Sequence, residues 1–194
     1  MRTTNESKVV LRIVKDIEQE YNANNISKVI KISSMGALKI LKKLEKDNIL
    51  VSRKLANISF YNINFENSYA FDYVEFLLKD EAEHSSSYIR RWVSEIRRIK
   101  EAEISVIFGS VLRIGDKAKD IDVLFVVKKE NFDKLRNEIE KLNQLNDKKI
   151  HPIYQTEEDF RKNLIKKDLI ILESIKGIVV FGYKIFLEIL KELK

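Results

Sequence analysis

Two acidic residues one position apart, Asp120 and Asp122, open the run Asp120-Ile121-Asp122-Val123-Leu124-Phe125-Val126-Val127. Its apolar, β-branched remainder predicts a buried strand. In a strand, residues i and i+2 point to the same face, roughly 6.6 Å apart along the axis, so the two carboxylates project into one small volume. Paired hard oxygen ligands of this kind are what a divalent cation such as Mg²⁺ or Mn²⁺ takes. Upstream, a second short apolar run, Ile-Ser-Val-Ile-Phe, ends in Gly109-Ser110. Backbone N–H groups freed at such a turn, together with the Ser110 hydroxyl, suit an anion, and Lys117 and Lys119 add positive charge nearby. An anion cradle on one strand end and paired acids on the next make a seat for a metal-bound phosphate chain. The plainer role for the same acids is to cap the strand or pair with Lys117 and Lys119.

The elements that would position these groups follow from the periodicity. After the acidic strand the sequence predicts a helix over 131–145, a strand over 149–154, a helix over 157–174, a strand within 177–182 and a closing helix. Before it, residues 68–83 set Phe71, Val74, Leu77 and Leu78 on one helical face. Ser85-Ser86-Ser87 then opens a helix with Ile89, Trp92, Val93, Ile96 and Ile99 inward and Arg90, Arg91, Arg97 and Arg98 between them. This stretch, 67–100, reads as a helical connector or a dimer seam and carries no chemistry.

The combination Gly109-Ser110, Gly115 and Asp120-Ile121-Asp122 resembles the signature of the DNA polymerase beta-like nucleotidyltransferase superfamily, in particular its minimal domains, over residues 101–194. The resemblance implies a mixed sheet with flanking helices. It implies that Gly109 lets a nucleotide's phosphates approach, that Ser110 hydrogen-bonds them, that Arg113 is a further phosphate partner, and that Asp120 and Asp122 hold Mg²⁺ (or Mn²⁺) and are catalytic. Paired ions would stabilise both the attacking and the leaving oxygens. The sequence departs from the pattern in two places. Lys119 stands where a Ser is usual, and the strand Lys149-Ile150-His151-Pro152-Ile153-Tyr154 carries no acid where active members have a third carboxylate. His151 is the residue that could stand there, and imidazole is a poor ligand for Mg²⁺. Glu157, Glu158 and Asp159 follow, at positions where acids more often serve a helix start.

The first 66 residues have a different texture. Val9, Val10, Ile13, Val14 and Ile17 recur at helical spacing within 7–21, Asn24-Asn25 breaks the pattern, and a short helix begins at Ser27 as N-cap with Val29, Ile30 and Ile32 as its apolar face. Ser33-Ser34 turns the chain into a third helix over 35–46 that buries Leu38, Leu41 and Leu44. Its other face carries Lys39, Lys42, Lys43 and Lys46 as one stripe. Two strand-like runs, 49–53 and 58–63, are joined by a Lys-Leu-Ala-Asn tip. This order, and the segment from Leu41 to Leu50, resembles the winged helix-turn-helix of bacterial and archaeal regulators. Such a helix lies in the major groove while the hairpin touches flanking backbone. Ser33, Ser34, Lys39, Lys42 and Lys43, with Arg53 and Lys54 on the wing, would meet double-stranded DNA. Lys offers point charges, so phosphate positioning should dominate over base reading.

Composition bounds the rest. The chain has 194 residues, 44% hydrophobic and 34% charged, enough to bury a core and unlike a disordered segment. With no Cys, disulfide scaffolds, thiolate zinc sites and cysteine nucleophiles are excluded. No apolar run reaches the roughly 18 residues of a membrane span, so a cytoplasmic protein with no membrane partner is expected. Residues 1–66 hold 12 Lys and Arg against 7 Asp and Glu, whereas 67–194 hold 24 against 23. The positive excess therefore sits in the first third, as expected if one module faces a polyanion.

The sequence thus predicts an α+β protein with a winged-helix DNA-binding domain (1–66), a helical connector (67–100) and a nucleotidyltransferase-like domain (101–194). One functional reading is metal-dependent transfer of a nucleoside monophosphate from a nucleoside triphosphate to a protein, RNA or small-molecule acceptor. The other is a transcriptional regulator whose impaired transferase-like domain senses nucleotide or dimerises. The resemblance adds a HEPN-type protein partner, as in toxin–antitoxin pairs, and DNA reading adds a homodimer.

Overall fold

The computed structural model describes residues 4–193; the outermost residues of the 1–66 and 101–194 segments lie outside them. The protein is a mixed α/β chain with two sheets. Helices α1 (Asn5–Lys15), α2 (Ala23–Ile30) and α3 (Ser34–Lys46) precede strands β1 (Leu50–Leu55) and β2 (Ile58–Ile63). Helices α4 (Ser68–Glu83) and α5 (Ser87–Ile96) lead to β3 (Ile104–Phe108), the single-turn helix α6 (Val111–Ile114) and β4 (Ile121–Val126). The chain continues through α7 (Phe132–Leu145), β5 (Ile150–Gln155), α8 (Glu157–Ile165), α9 (Leu169–Ile175), β6 (Ile178–Phe181) and α10 (Tyr183–Glu192). It divides into two compact units, one running to Leu78 and joined by the stretch from Leu190, the other Lys79–Ile189. Lys191 belongs to the first, where it pairs with Glu66 at 3.1 Å.

In the first unit, α1 turns Val9, Val10, Ile13 and Val14 inward. Its helix ends at Lys15 rather than continuing to Tyr21, because a buried polar knot reverses the chain. The Tyr21 hydroxyl donates to Asp16 (2.7 Å), while Arg12 donates to both the Tyr21 oxygen (2.6 Å) and Asp16 (2.8 Å). Burial alone would pull the Arg12 pKa down, but Tyr21 and Asp16 outweigh it and leave it raised. Burial also holds the Tyr21 phenol above its ordinary range. The Tyr21 carbonyl then accepts from the Tyr61 N–H at 2.8 Å, tying the start of α2 to β2.

The sequence suggests Ser27 as the N-cap of α2; the cap is Asn22. Its side chain accepts from the Asn24 and Asn25 N–H groups, and the Asn25 side chain answers by accepting from the Asn22 N–H. Asn24-Asn25 therefore starts the helix instead of breaking one, since a reciprocal capping box satisfies the free N–H groups of the first turn. Lys31 ends α2 in the left-handed region (φ 60°). Ser33 caps α3 by accepting from Gly36 N–H at 3.0 Å, so a three-residue turn separates two helices. Ala37, Leu41 and Leu44 form the inner row of α3, and Leu38 is 37% exposed, contrary to its expected burial. At 100° per residue, Ala37 lies nearer the middle of that row than Leu38 does. β1 and β2 pair antiparallel from Leu50↔Ile63 to Leu55↔Ile58, leaving only Ala56-Asn57 as the tip.

The second unit is built on a four-stranded sheet in the order β5-β4-β3-β6. β4 and β5 run parallel, joined through α7; β3 is antiparallel to β4 and β6. The core gathers Trp92, Val93 and Ile96 of α5, Ile107, Val123 and Phe125 of the sheet, and Leu135 and Ile139 of α7. The helix expected over 157–174 is two helices. Lys167 has φ 56°, and Asp168 restarts the chain as N-cap by accepting from Ile170 and Ile171 N–H. No helix among the described residues is long and apolar enough to cross a membrane.

Candidate functional site

The antiparallel register sets Phe108 opposite Asp122, and the parallel register sets Asp122 beside His151. Gly109, Asp122 and His151 therefore stand side by side across three strands at one end of the sheet. Gly109 has φ +79°, and a Cβ there would collide with the Asp122 carboxylate. The close approach that this glycine permits is thus that of an aspartate from the same chain. The other carboxylate oxygen, Oδ1, accepts from Nδ1–H of His151 at 3.1 Å. Asp122 is 24% exposed at its side chain and His151 69%, so the pair lies at the mouth of the site.

Asp120 lies just outside β4, half-buried, and its carboxylate has no partner among the described residues. Ser110 precedes α6 without any side-chain capping bond, and α6 is four residues long. Arg113, Lys117 and Lys119 are exposed, without partners among the described residues. The sheet thus brings Gly109 and Asp122 together and leaves Ser110, Arg113 and Asp120 free around them. It also brings in His151, which the acid-free strand 149–154 already singles out.

Two carboxylates and an imidazole are a poor set for Mg²⁺, which prefers oxygen ligands. Among the described residues no three His, Asp or Glu side chains are grouped to hold a metal ion. Asp122 is already engaged by an N–H donor, and no carboxylate stands where His151 stands. Glu157 pairs with Arg161 at 2.8 Å and Asp159 accepts from the Thr156 hydroxyl at 2.7 Å, so neither is free to complete the set. The donor set does not fit a catalytic metal pair.

The expected basic surface of the first unit divides into tied and free cations. Lys42 bonds Glu45 at 2.8 Å, Lys43 bonds Glu6 at 2.7 Å, and Arg53 bonds Glu20 at 2.6 Å. The Glu45 contact, with the nearby Tyr61, holds the Lys42 ammonium above its ordinary pKa; Glu6 does the same for Lys43. Lys42, seconded by the Ser52 hydroxyl, keeps the Glu45 carboxyl low. Lys39, Lys46 and Lys54 have no such partner among the described residues. Helical geometry sets Lys39 and Lys46 seven residues apart on the face opposite Ala37, Leu41 and Leu44. Ser33 is spent on the cap of α3, and Ser34 Oγ lies 3.2 Å from Ser27 Oγ.

Beside this ridge, a cavity of about 220 Å³ opens between the start of α2, the Leu38–Lys42 side of α3 and the hairpin. Asn22, Asn24, Asn57 and Ser59 line it, with Tyr61 at its back. The Tyr61 hydroxyl is buried without a hydrogen-bond partner among the described residues. Sequence alone does not group these residues, because Asn57 and Ser59 lie more than 30 positions from Asn22 and Asn24 and meet them only in the fold.

No protein-family model matches the chain, and no curated protein matches it. Among solved structures, a single-site mutant of Lactococcus lactis ZitR is similar at 18% identity and a TM-score of 0.34, over 50% of this chain and 62% of that one. A double mutant of the same protein gives 14% identity and a TM-score of 0.27, over 48% of this chain and 69% of that one. The chain thus spans about 62% of the length of the first of these relatives.

Proposed function

We propose that the protein is a DNA-binding transcriptional regulator, in which a winged helix-turn-helix reads duplex DNA. Its second unit is a nucleotidyltransferase-like domain that has lost metal-dependent transfer and serves as a nucleotide sensor or dimerisation module. The observation that carries this reading is the presentation of α3. Its apolar row is turned inward, and Lys39, Lys42 and Lys46 are left in solvent beside a β-hairpin, after a three-residue turn from α2. A helix so held fits the major groove, and the asparagine-lined cavity between α3 and the hairpin suits a phosphate of the flanking backbone.

The loss of transfer is supported by His151. It occupies the strand position where the resemblance calls for a carboxylate, and it bonds Asp122. Ser110 and Arg113 remain available to a nucleotide's phosphates, which is what a sensor without turnover requires. A homodimer would match the symmetry of a palindromic site.

Fluorescence anisotropy with a labelled 30-base-pair duplex tests the first unit. Affinity should fall steeply between 50 and 200 mM salt, as counterion release demands; absence of salt-sensitive binding overturns the DNA reading. Incubation with labelled ATP, CTP, GTP or UTP, Mn²⁺ and cell extract tests the second. Nucleotide binding without a labelled acceptor is expected, and a labelled acceptor restores the transferase reading. His151→Asp should create a third carboxylate and raise Mn²⁺ affinity about tenfold or more, since the affinity of hard-oxygen sites for divalent cations rises with the count of charged ligands.

A further inference from the structure

The sheet has a second end, and it is built differently. β4 and β5 are parallel, so both carboxyl ends open on the same side, about 13 Å along the strand from Asp122 at roughly 3.3 Å per residue. A cavity of about 330 Å³ lies there, lined by Val127, Lys129 and Phe132 after β4 and by Tyr154, Gln155, Thr156 and Asp159 at the end of β5.

Its walls are aromatic and fixed. Phe132 meets Tyr154 edge-to-face, with ring centroids 5.0 Å apart and planes at 73°. Tyr154 is in turn stacked on the buried Phe125 at 6.4 Å and 25°. Phe132 continues the row of α7 that buries Leu135 and Ile139, yet remains 37% exposed because the cavity lies over it. Two rings held at a steep angle offer a face and an edge to a third planar ring.

The polar lining narrows the class further. Gln155 accepts from Asn163 at 2.7 Å, and Thr156 donates to Asp159 at 2.7 Å. These bonds fix both side chains and leave the remaining Asp159 carboxylate oxygen as an acceptor. The Lys129 ammonium has no partner among the described residues. Glu157, Glu158 and Asp159 crowd the first turn of α8, so a bare anion is repelled there, whereas a ring N–H is welcome. An anionic group has its place at Lys129.

We infer that this crevice is a binding site for a planar nitrogen heterocycle that bears an anionic group, with the ring against Phe132 and Tyr154, its N–H toward Asp159 and its charge at Lys129. The site is separate from Gly109 and Asp122 and needs no metal. It stands whether or not the first unit binds DNA.

The four ribonucleoside 5′-monophosphates, titrated separately into ¹⁵N-labelled full-length protein in EDTA, are the probes. At least one should bind, with amide shifts concentrated at residues 127–132 and 154–159. Lys129→Glu, a surface change that leaves the fold intact, should weaken binding about tenfold or more through loss of a charge-assisted contact. Phe132→Ala should weaken it too, with an unchanged spectrum elsewhere. Asp122→Ala should leave it unaltered. Failure of all four probes to shift these residues, or binding that Asp122→Ala removes and Lys129→Glu does not, overturns the proposal.

Discussion

The two units carry opposite candidate surfaces, and both have already spent part of their charge at home. In the first, three of the cations that would meet DNA, Lys42, Lys43 and Arg53, are held by Glu45, Glu6 and Glu20. In the second, Asp122 is held by His151 and fills the space over Gly109. The difference lies in what the internal partner costs a visitor. Exposed Lys–Glu pairs are weak and exchange readily for a phosphate. A carboxylate seated over a glycine at the end of a buried strand has nowhere else to go. Residue type alone therefore overstates the reach of Asp122 more than that of Lys42.

The largest effect is expected where the packing is tightest. Gly109→Ala places a Cβ against the Asp122 carboxylate and a side chain at positive φ, and should cost about 2–4 kcal/mol. Urea denaturation followed by circular dichroism measures it. The same substitution in an Asp122→Ala background should cost clearly less, and an equal cost would show that the two residues are not coupled.

Tyr21→Phe comes next. It strips one donor from the buried Asp16 carboxylate and one acceptor from Arg12 and should destabilise the first unit by about 1–3 kcal/mol. Thermal unfolding that leaves the midpoint unchanged would remove the knot from the account of why α1 stops at Lys15.

Free and tied cations should then separate in DNA binding. Lys39→Gln with Lys54→Gln should lower affinity about tenfold at 100 mM salt and reduce the slope of log K against log salt by about 2. Lys43→Gln with Arg53→Gln should move both quantities less, because those charges are partly neutralised already. The reverse order in anisotropy titrations would mean that pairing in the free protein says little about the bound state.

The smallest effect sharpens the same point. Glu45→Gln frees Lys42 from its exposed pair with little change in stability. DNA affinity should rise about two- to threefold through the one released surface charge, and a fall would make Glu45 a positioning group for Lys42.

Much of the architecture is legible in the chain. The apolar runs ending in Gly109-Ser110 and beginning at Asp120 mark β3 and β4, and the Ser-rich stretch before Ile89 marks the start of α5 with Ser86 as its cap. Local chemistry suffices there, because burial on both faces and a hydroxyl cap leave plain signatures. It fails where two local signals compete. Asn24-Asn25 reads as a breaker, since asparagine favours turns, yet the reciprocal cap with Asn22 makes it a helix start. Likewise 157–174 keeps one helical rhythm through Lys166-Lys167-Asp168, and only the left-handed Lys167 and the capping by Asp168 split it in two.

By itself, the sequence determined which segments could be helices and strands, that Asp120 and Asp122 lie two residues apart at a strand start, and that one helix carries lysines opposite leucines. Only the tertiary structure decided that His151 meets Asp122, that Glu6 reaches Lys43 across 37 positions and that Phe132 and Tyr154 wall one cavity. Helix and strand formation is governed by neighbours a few residues away, which the sequence displays. Strand register and long-range ion pairs depend on how loops close and which faces meet, and these are fixed only when the whole core packs.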